Sequence, residues 1–208
     1  MSRGDARRPP AMARVIANMS MSLDGFIADP QDGVGELFGW YGSGDVEVPT
    51  ADERWSFKVS AASAEHLRPA FTGGIGALLA GRRIFDQTQG WGGRHPTGAP
   101  VFVVSHSVPE GWPRADSATT FYDDALVALA AAKKAAGDKI VAVSTPTLTR
   151  QYLDAGELDE IVVSLVPVLL GRGIPFFSEL AKTPVRLDDP KVVEGKGVTH
   201  LTYRVRKN

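Results

Sequence analysis

The 208-residue chain contains no cysteine. That absence excludes disulfides, thiolate metal sites and a cysteine nucleophile together, and it suits a reducing, cytoplasmic setting. There is little charge of one sign either: 23 Lys and Arg stand against 24 Asp and Glu, a formal net charge of -1. Proteins that work by neutralising nucleic-acid phosphates carry a clustered basic excess, so nucleic acid is not an expected partner. No apolar run approaches the roughly 20 residues of a spanning helix, so no membrane partner is expected. The basic opening "MSRGDARRPPAMAR" is followed by no apolar core of a signal peptide.

Histidine is scarce. His66, His95, His106 and His200 are scattered without an i, i+4 pair or a carboxylate at ligand spacing, which argues against a metal site. No GxSxG elbow surrounds a serine, so a hydrolase triad has no local support. "GGIGALLAGRR" resembles a phosphate loop only superficially: Arg82 and Arg83 stand where the Walker pattern needs Lys and Ser or Thr, and its first glycines precede a strand where the dinucleotide fingerprint needs them to follow one.

What remains is an ordinary globular composition, 43% hydrophobic and 23% charged. We expect residues 1–11 to be a disordered extension and residues 12–208 a single domain. Val15 to Met19 predicts a first strand and Gly25 to Ala28 a short extended segment. Residues 29–49 have no regular period and predict a functional loop whose aromatics, Phe38, Trp40 and Tyr41, speak against disorder. Residues 50–68 lack Pro and Gly and predict a helix capped by Thr50 or Asp52.

Further on, "ALLAG" and "PVFVVSHS" predict strands, with a short helix over "RRIFDQT" between them. A helix is predicted from Asp123, with an apolar stripe of Leu126, Leu129 and Ala130 and a stop at Gly137. "KIVAV" predicts a strand, and Thr145 and Pro146 suit the cap and first turn of a helix stopped by Gly156. The run from Glu160 is apolar on both faces, as an interior strand requires. "THLTYRVR" alternates, which predicts Leu201, Tyr203 and Val205 inward with His200, Thr202 and Arg204 outward. Strands alternating with helices and ending in antiparallel strands describe an α/β domain with a mixed sheet.

Two strand-to-helix junctions carry candidate chemistry. At "LLAGRRIF", Gly81, Arg82 and Arg83 can hold a phosphate by helix amides and a guanidinium fork, or form a solvated surface pair. At "VSTPTL", exposed amides and the hydroxyls of Ser144 and Thr145 can cradle a pyrophosphate or only cap a helix. Asp24 can bind a heterocycle or relay a proton, or simply close a turn. Trp40 and Trp91 can stack on a flat ring or cover the core.

In order, "SMSLDGFIA", "LLAGRRIFD", "GWGG", "PVFVVSHS", "GDKIVAVSTPTLTRQYLDAGELDEI", "VPVLLGRGIPFF" and "VTHLTYRV" resemble the dihydrofolate reductase-like family. The closer likeness is to its RibD C-terminal, riboflavin-biosynthesis reductase branch, over nearly all of residues 13–206. The resemblance implies a mixed, mostly parallel sheet with flanking helices and antiparallel C-terminal strands. It implies an NADPH-dependent reductase that transfers hydride to a small planar heterocycle, and a homodimer. By position, Ser20 and Met21 would lie beside the nicotinamide through backbone groups, Gly81, Arg82 and Arg83 would meet the adenosine-side phosphates, and Ser105 and His106 would neighbour the adenosine ribose. Ser144, Thr145, Pro146, Thr147 and Leu148 would wrap the pyrophosphate. Asp24, catalytic and substrate-binding, would border the substrate together with Trp40, Trp91 and a lid formed by residues 29–49.

The chain departs from that pattern twice. Relatives carry glycine where this chain has Ser144 and Thr145, so a threonine side chain is expected to crowd the diphosphate. They also place an acidic residue where this chain has Val143, which argues against the riboflavin-pathway pyrimidine as substrate. The competing expectation is a small-molecule-binding protein on the same scaffold that has lost NADPH turnover.

Overall fold

The computed structural model describes residues 13–207. The extension expected over residues 1–11 lies outside the described residues. The chain opens with strand β1 (Val15–Ser22) and a short β2 (Phe26–Ala28), followed by a one-turn helix α1 (Gly35–Phe38), a 3-10 turn over 39–42, and the hairpin strands β3 (Val46–Val48) and β4 (Phe57–Val59). Helix α2 (Ala61–Pro69) leads to β5 (Ile75–Gly81), α3 (Arg82–Gln87), β6 (Val101–Val104) and β7 (Thr119–Tyr122). The second half contains α4 (Ala125–Ala136), β8 (Ile140–Val143), α5 (Pro146–Asp154), β9 (Glu160–Val166), β10 (Ile174–Pro175), β11 (Lys191–Gly195) and β12 (Val198–Arg204).

Eight strands form one sheet in the order β11-β12-β9-β1-β8-β5-β6-β7. The run from β9 to β7 is parallel, and β12 and β11 add antiparallel at the end. Strand alternation divides the core: Leu79, Val141 and Val143 face one layer with Leu129 of α4 and Tyr152 of α5, while Leu78, Ala80 and Ala142 face the other with Phe85 and Trp91. A third cluster joins Leu37, Trp40, Val59 and Leu67 beneath Val166 and Val198. No helix among the described residues is long and apolar enough to cross a membrane.

The mixed α/β sheet matches the sequence expectation, but several local readings are corrected. Residues 50–68 are not one helix: β4 runs through Phe57–Val59, and α2 begins only after Ser60, whose hydroxyl accepts from the amide of Ser63. Asp124, not Asp123, caps α4 by accepting from the amides of Leu126 and Val127. The buried stripe of α4 is Ala128, Leu129, Ala132 and Ala136; Leu126 and Ala130 are exposed.

Residues 29–49 border a cavity but are not irregular. They contain α1, the 3-10 turn and β3, and Trp40 is buried, its indole Nε1 donating to Ser20 Oγ at 3.1 Å. Likewise, β12 does not turn His200 to solvent. That ring is fully buried, Nε2 lying 2.9 Å from Ser63 Oγ and Nδ1 3.0 Å from Ser164 Oγ, because α2 covers the face expected to be open.

Candidate functional site

A cavity of about 1700 Å³ opens at the carboxyl ends of the parallel strands, lined by Gly81 at the end of β5, Ser105 to Ser107 after β6, and Ser144 to Leu148 after β8. This is where open α/β sheets bind ligands. The topology widens the place. β1 pairs with β8 only over Val15–Ala17, then continues alone with β9 as far as Ser22. Past Val143 the chain turns into α5, so the two central strands part and leave a groove between them.

Thr145 is the N-cap of α5, yet its side chain makes no capping bond. Its Oγ1 is buried and has no hydrogen-bond partner among the described residues. Its backbone, at φ -145° and ψ 144°, is extended and suits any residue, so glycine's conformational freedom is not needed here. The threonine side chain packs over the glycine at the end of the neighbouring strand: a Cβ at position 81 would sit 3.4 Å from Thr145 Cγ2, at ordinary contact distance.

Arg82 is fixed in place. Its Nε donates to Asp86 at 2.7 and 2.8 Å, and its Nη1 to the carbonyl and hydroxyl of Ser107 at 3.1 Å. Arg83 reaches across to Asp32, with donor distances of 2.7 and 2.9 Å. Ser105 Oγ donates to the Ser107 carbonyl at 2.6 Å, and His106 lines the same mouth. Thus Gly81, Arg82, Arg83, Ser105, His106 and Ser144 through Leu148 are brought into one cavity.

A second part of the lining is aromatic. Phe38 and Tyr41 stack at 5.5 Å, and Tyr41 meets Phe57 at 4.6 Å. Trp55 is 39% exposed, and all four rings line the cavity. Trp91 lines it too, held at φ +52° between two left-handed glycines. Burial pushes the Tyr41 phenol up to about 12, which keeps it protonated.

Four expected residues, Ser20, Met21, Asp24 and Trp40, are not among those that line the cavity. Asp24 is exposed and does not line the cavity; it accepts from Ser22 Oγ at 2.6 Å and from the amides of Gly171 at 2.7 Å and Leu170 at 3.2 Å. The Ser22 hydrogen bond holds its carboxyl below the usual range. This is a turn clamp, not a group aimed at a substrate. Trp40 is core, and Ser20 spends its hydroxyl on that indole. Met19 and Met21 both pack against the main core, and of the two it is Met19 that lines the cavity. Sequence reasoning missed Met19, Trp55 and Phe57 as cavity-lining residues; alternation puts Met19 and Met21 on one face of β1 and does not separate them. Among the described residues no group of His, Asp and Glu is placed to hold a metal.

The sheet order and the strand-end cavity define a reductase scaffold of the dihydrofolate reductase kind. The dihydrofolate reductase of Enterococcus faecalis, complexed with NADP(H), superposes with a TM-score of 0.55 at 15% identity, over 93% of this chain and 97% of that one. The model of the RibD C-terminal domain matches residues 13–201, and the chain belongs to that family. A Shewanella sp. PV-4 protein named for riboflavin biosynthesis is 25% identical, with a TM-score of 0.64 over 93% of this chain and 99% of that one. The Thermotoga maritima diaminohydroxyphosphoribosylaminopyrimidine deaminase/5-amino-6-(5-phosphoribosylamino)uracil reductase is 14% identical with a TM-score of 0.57; the match covers 94% of this chain but only 57% of that protein. No curated protein matches the chain. The chain is an oxidoreductase of this reductase class.

Proposed function

We propose that the chain is an NADPH-dependent reductase of a small planar heterocycle, acting as one domain over residues 12–208. The observation that carries the reading is the unpartnered Thr145 Oγ1 at the uncapped start of α5, in one cavity with the anchored Arg82. A buried hydroxyl without a partner is costly, and a phosphate oxygen is a natural acceptor for it. The amides of Thr147 and Leu148 would complete a cradle for the pyrophosphate. Arg82, Ser105 and His106 would hold the adenosine side, the guanidinium favouring the 2'-phosphate of NADPH over NADH.

When bound, the reduced nicotinamide supplies the hydride. The groove between β1 and β8 would seat its ring, with the Ser20 and Met21 backbone along one side. The aromatic wall would hold the heterocycle and exclude water. Asp24 has no part in this reading; ordered water is the proton source that suits the cavity, and the protonated Tyr41 would donate a hydrogen bond. The absence of cysteine fits a cytoplasmic enzyme. Leu23 and Leu169, 62% and 68% exposed on adjoining turns, suit a homodimer contact that sedimentation would test.

The test is titration with NADPH and NADH, followed by nicotinamide fluorescence. Saturable binding with NADPH preferred supports the reading. No binding at millimolar cofactor points to a binding protein without redox turnover.

A further inference from the structure

We infer that the substrate of this reductase is an uncharged planar ring compound that carries no phosphate, held by Tyr41, Trp55 and Phe57; the inference rests on the reductase reading above and narrows it. Tyr41 and Phe57 meet at 4.6 Å, and Trp55, 39% exposed, lines the same cavity. An exposed indole on a cavity wall offers an unused π face. Among the described residues the Lys and Arg side chains that line the cavity are Arg82, Arg83 and Arg150.

Of these, Arg82 is given to the cofactor in the reading above, and the other two are paired with carboxylates, Arg83 with Asp32 at 2.6 Å and Arg150 with Glu179 at 2.6 Å. Arg54, next to Trp55 in sequence, is bound by Asp52 and donates to the Trp91 carbonyl. A phosphate brought against the aromatic wall would lose its hydration and gain no counter-charge, a cost that planar neutral rings do not meet. The Tyr41 hydroxyl has no hydrogen-bond partner among the described residues and, being protonated, donates to a ring carbonyl or nitrogen. The Thermotoga relative is named for a phosphoribosylamino substrate. This wall is built for something smaller and drier.

The experiment is calorimetric titration of the whole chain, saturated with NADPH so that the strand-end phosphate positions are filled. The probes are 6,7-dimethylpterin, which is planar and uncharged, and uridine 5'-monophosphate, a phosphorylated ribosyl pyrimidine. The pterin is expected to bind at least about tenfold more tightly. Trp55→Ala is expected to weaken it about tenfold while leaving NADPH affinity and melting temperature unchanged. Equal or tighter binding of the nucleotide, or pterin binding indifferent to Trp55→Ala, overturns the inference. Should NADPH itself fail to bind, the cofactor reading falls, and the same two probes on unloaded wild-type and Trp55→Ala protein still decide the substrate class.

Discussion

Thr145 and Gly81 sit face to face on neighbouring strand ends, with Thr145 Cγ2 3.4 Å from where a Cβ on residue 81 would be. The two pack in ordinary contact, and the threonine leaves its hydroxyl buried without a partner. Such a group penalises the empty protein and rewards a ligand that satisfies it.

Thr145→Val separates the two effects. Removing the orphan hydroxyl should stabilise the cofactor-free protein by about 1 kcal/mol and weaken NADPH about tenfold. Urea unfolding and fluorescence titration read the opposite signs. A variant less stable than the parent would show that the hydroxyl has a partner.

Arg82 addresses the adenosine side. Its pair with Asp86 is an exposed i, i+4 contact, so Arg82→Ala should change stability by less than about 0.5 kcal/mol. NADPH affinity should fall about tenfold with NADH affinity nearly unchanged. An equal loss for both cofactors would remove the guanidinium from the 2'-phosphate.

Trp40 and Trp55 should behave oppositely. Trp40 is buried with its indole bonded to Ser20, so Trp40→Ala should cost about 3–5 kcal/mol in unfolding experiments. Trp55→Ala should cost less than about 1 kcal/mol and act on substrate binding instead.

Asp24→Asn should lower the melting temperature by loosening the turn at Leu170 and Gly171. The turnover number and its pH profile should stay as in the parent, once a substrate is in hand. A lost acidic limb in that profile would restore Asp24 as a proton relay.

Burial lowers His200 to about 4, with the ring of His66 stacked 4.3 Å away adding to it, and burial lowers His95 to about 4. In the unfolded chain these rings titrate near 6.5. Below that value the unfolded state binds protons that the native rings refuse, so stability is fully present above pH 6.5 and falls as pH drops toward 4. The loss from His200 alone should be on the order of 2 kcal/mol. Urea unfolding at pH 7 and 5 checks this, and His200→Gln should flatten the slope.

The strand-end half of the site was legible because its punctuation is local. Gly81 before Arg82, and Thr145 before Pro146, mark strand-to-helix junctions by backbone chemistry alone. The aromatic half was not. Residues 50–68 lack Pro and Gly and so looked helical, although a three-residue hairpin strand precedes the Ser60 cap, and this hid Trp55 and Phe57. His200 was misplaced for the same reason. Its alternation with Leu201 reads as an open face until α2 is known to cover it through Ser63. Asp24 failed because its partners, Leu170 and Gly171, lie some 146 residues away in the chain.

The most direct test of the account is titration of the wild-type protein with NADPH, beside Thr145→Val, by nicotinamide fluorescence. Saturable binding that weakens in the variant, with NADH bound less tightly than NADPH, is the predicted result. No saturable binding at millimolar NADPH, or affinity untouched by the loss of the Thr145 hydroxyl, would contradict it.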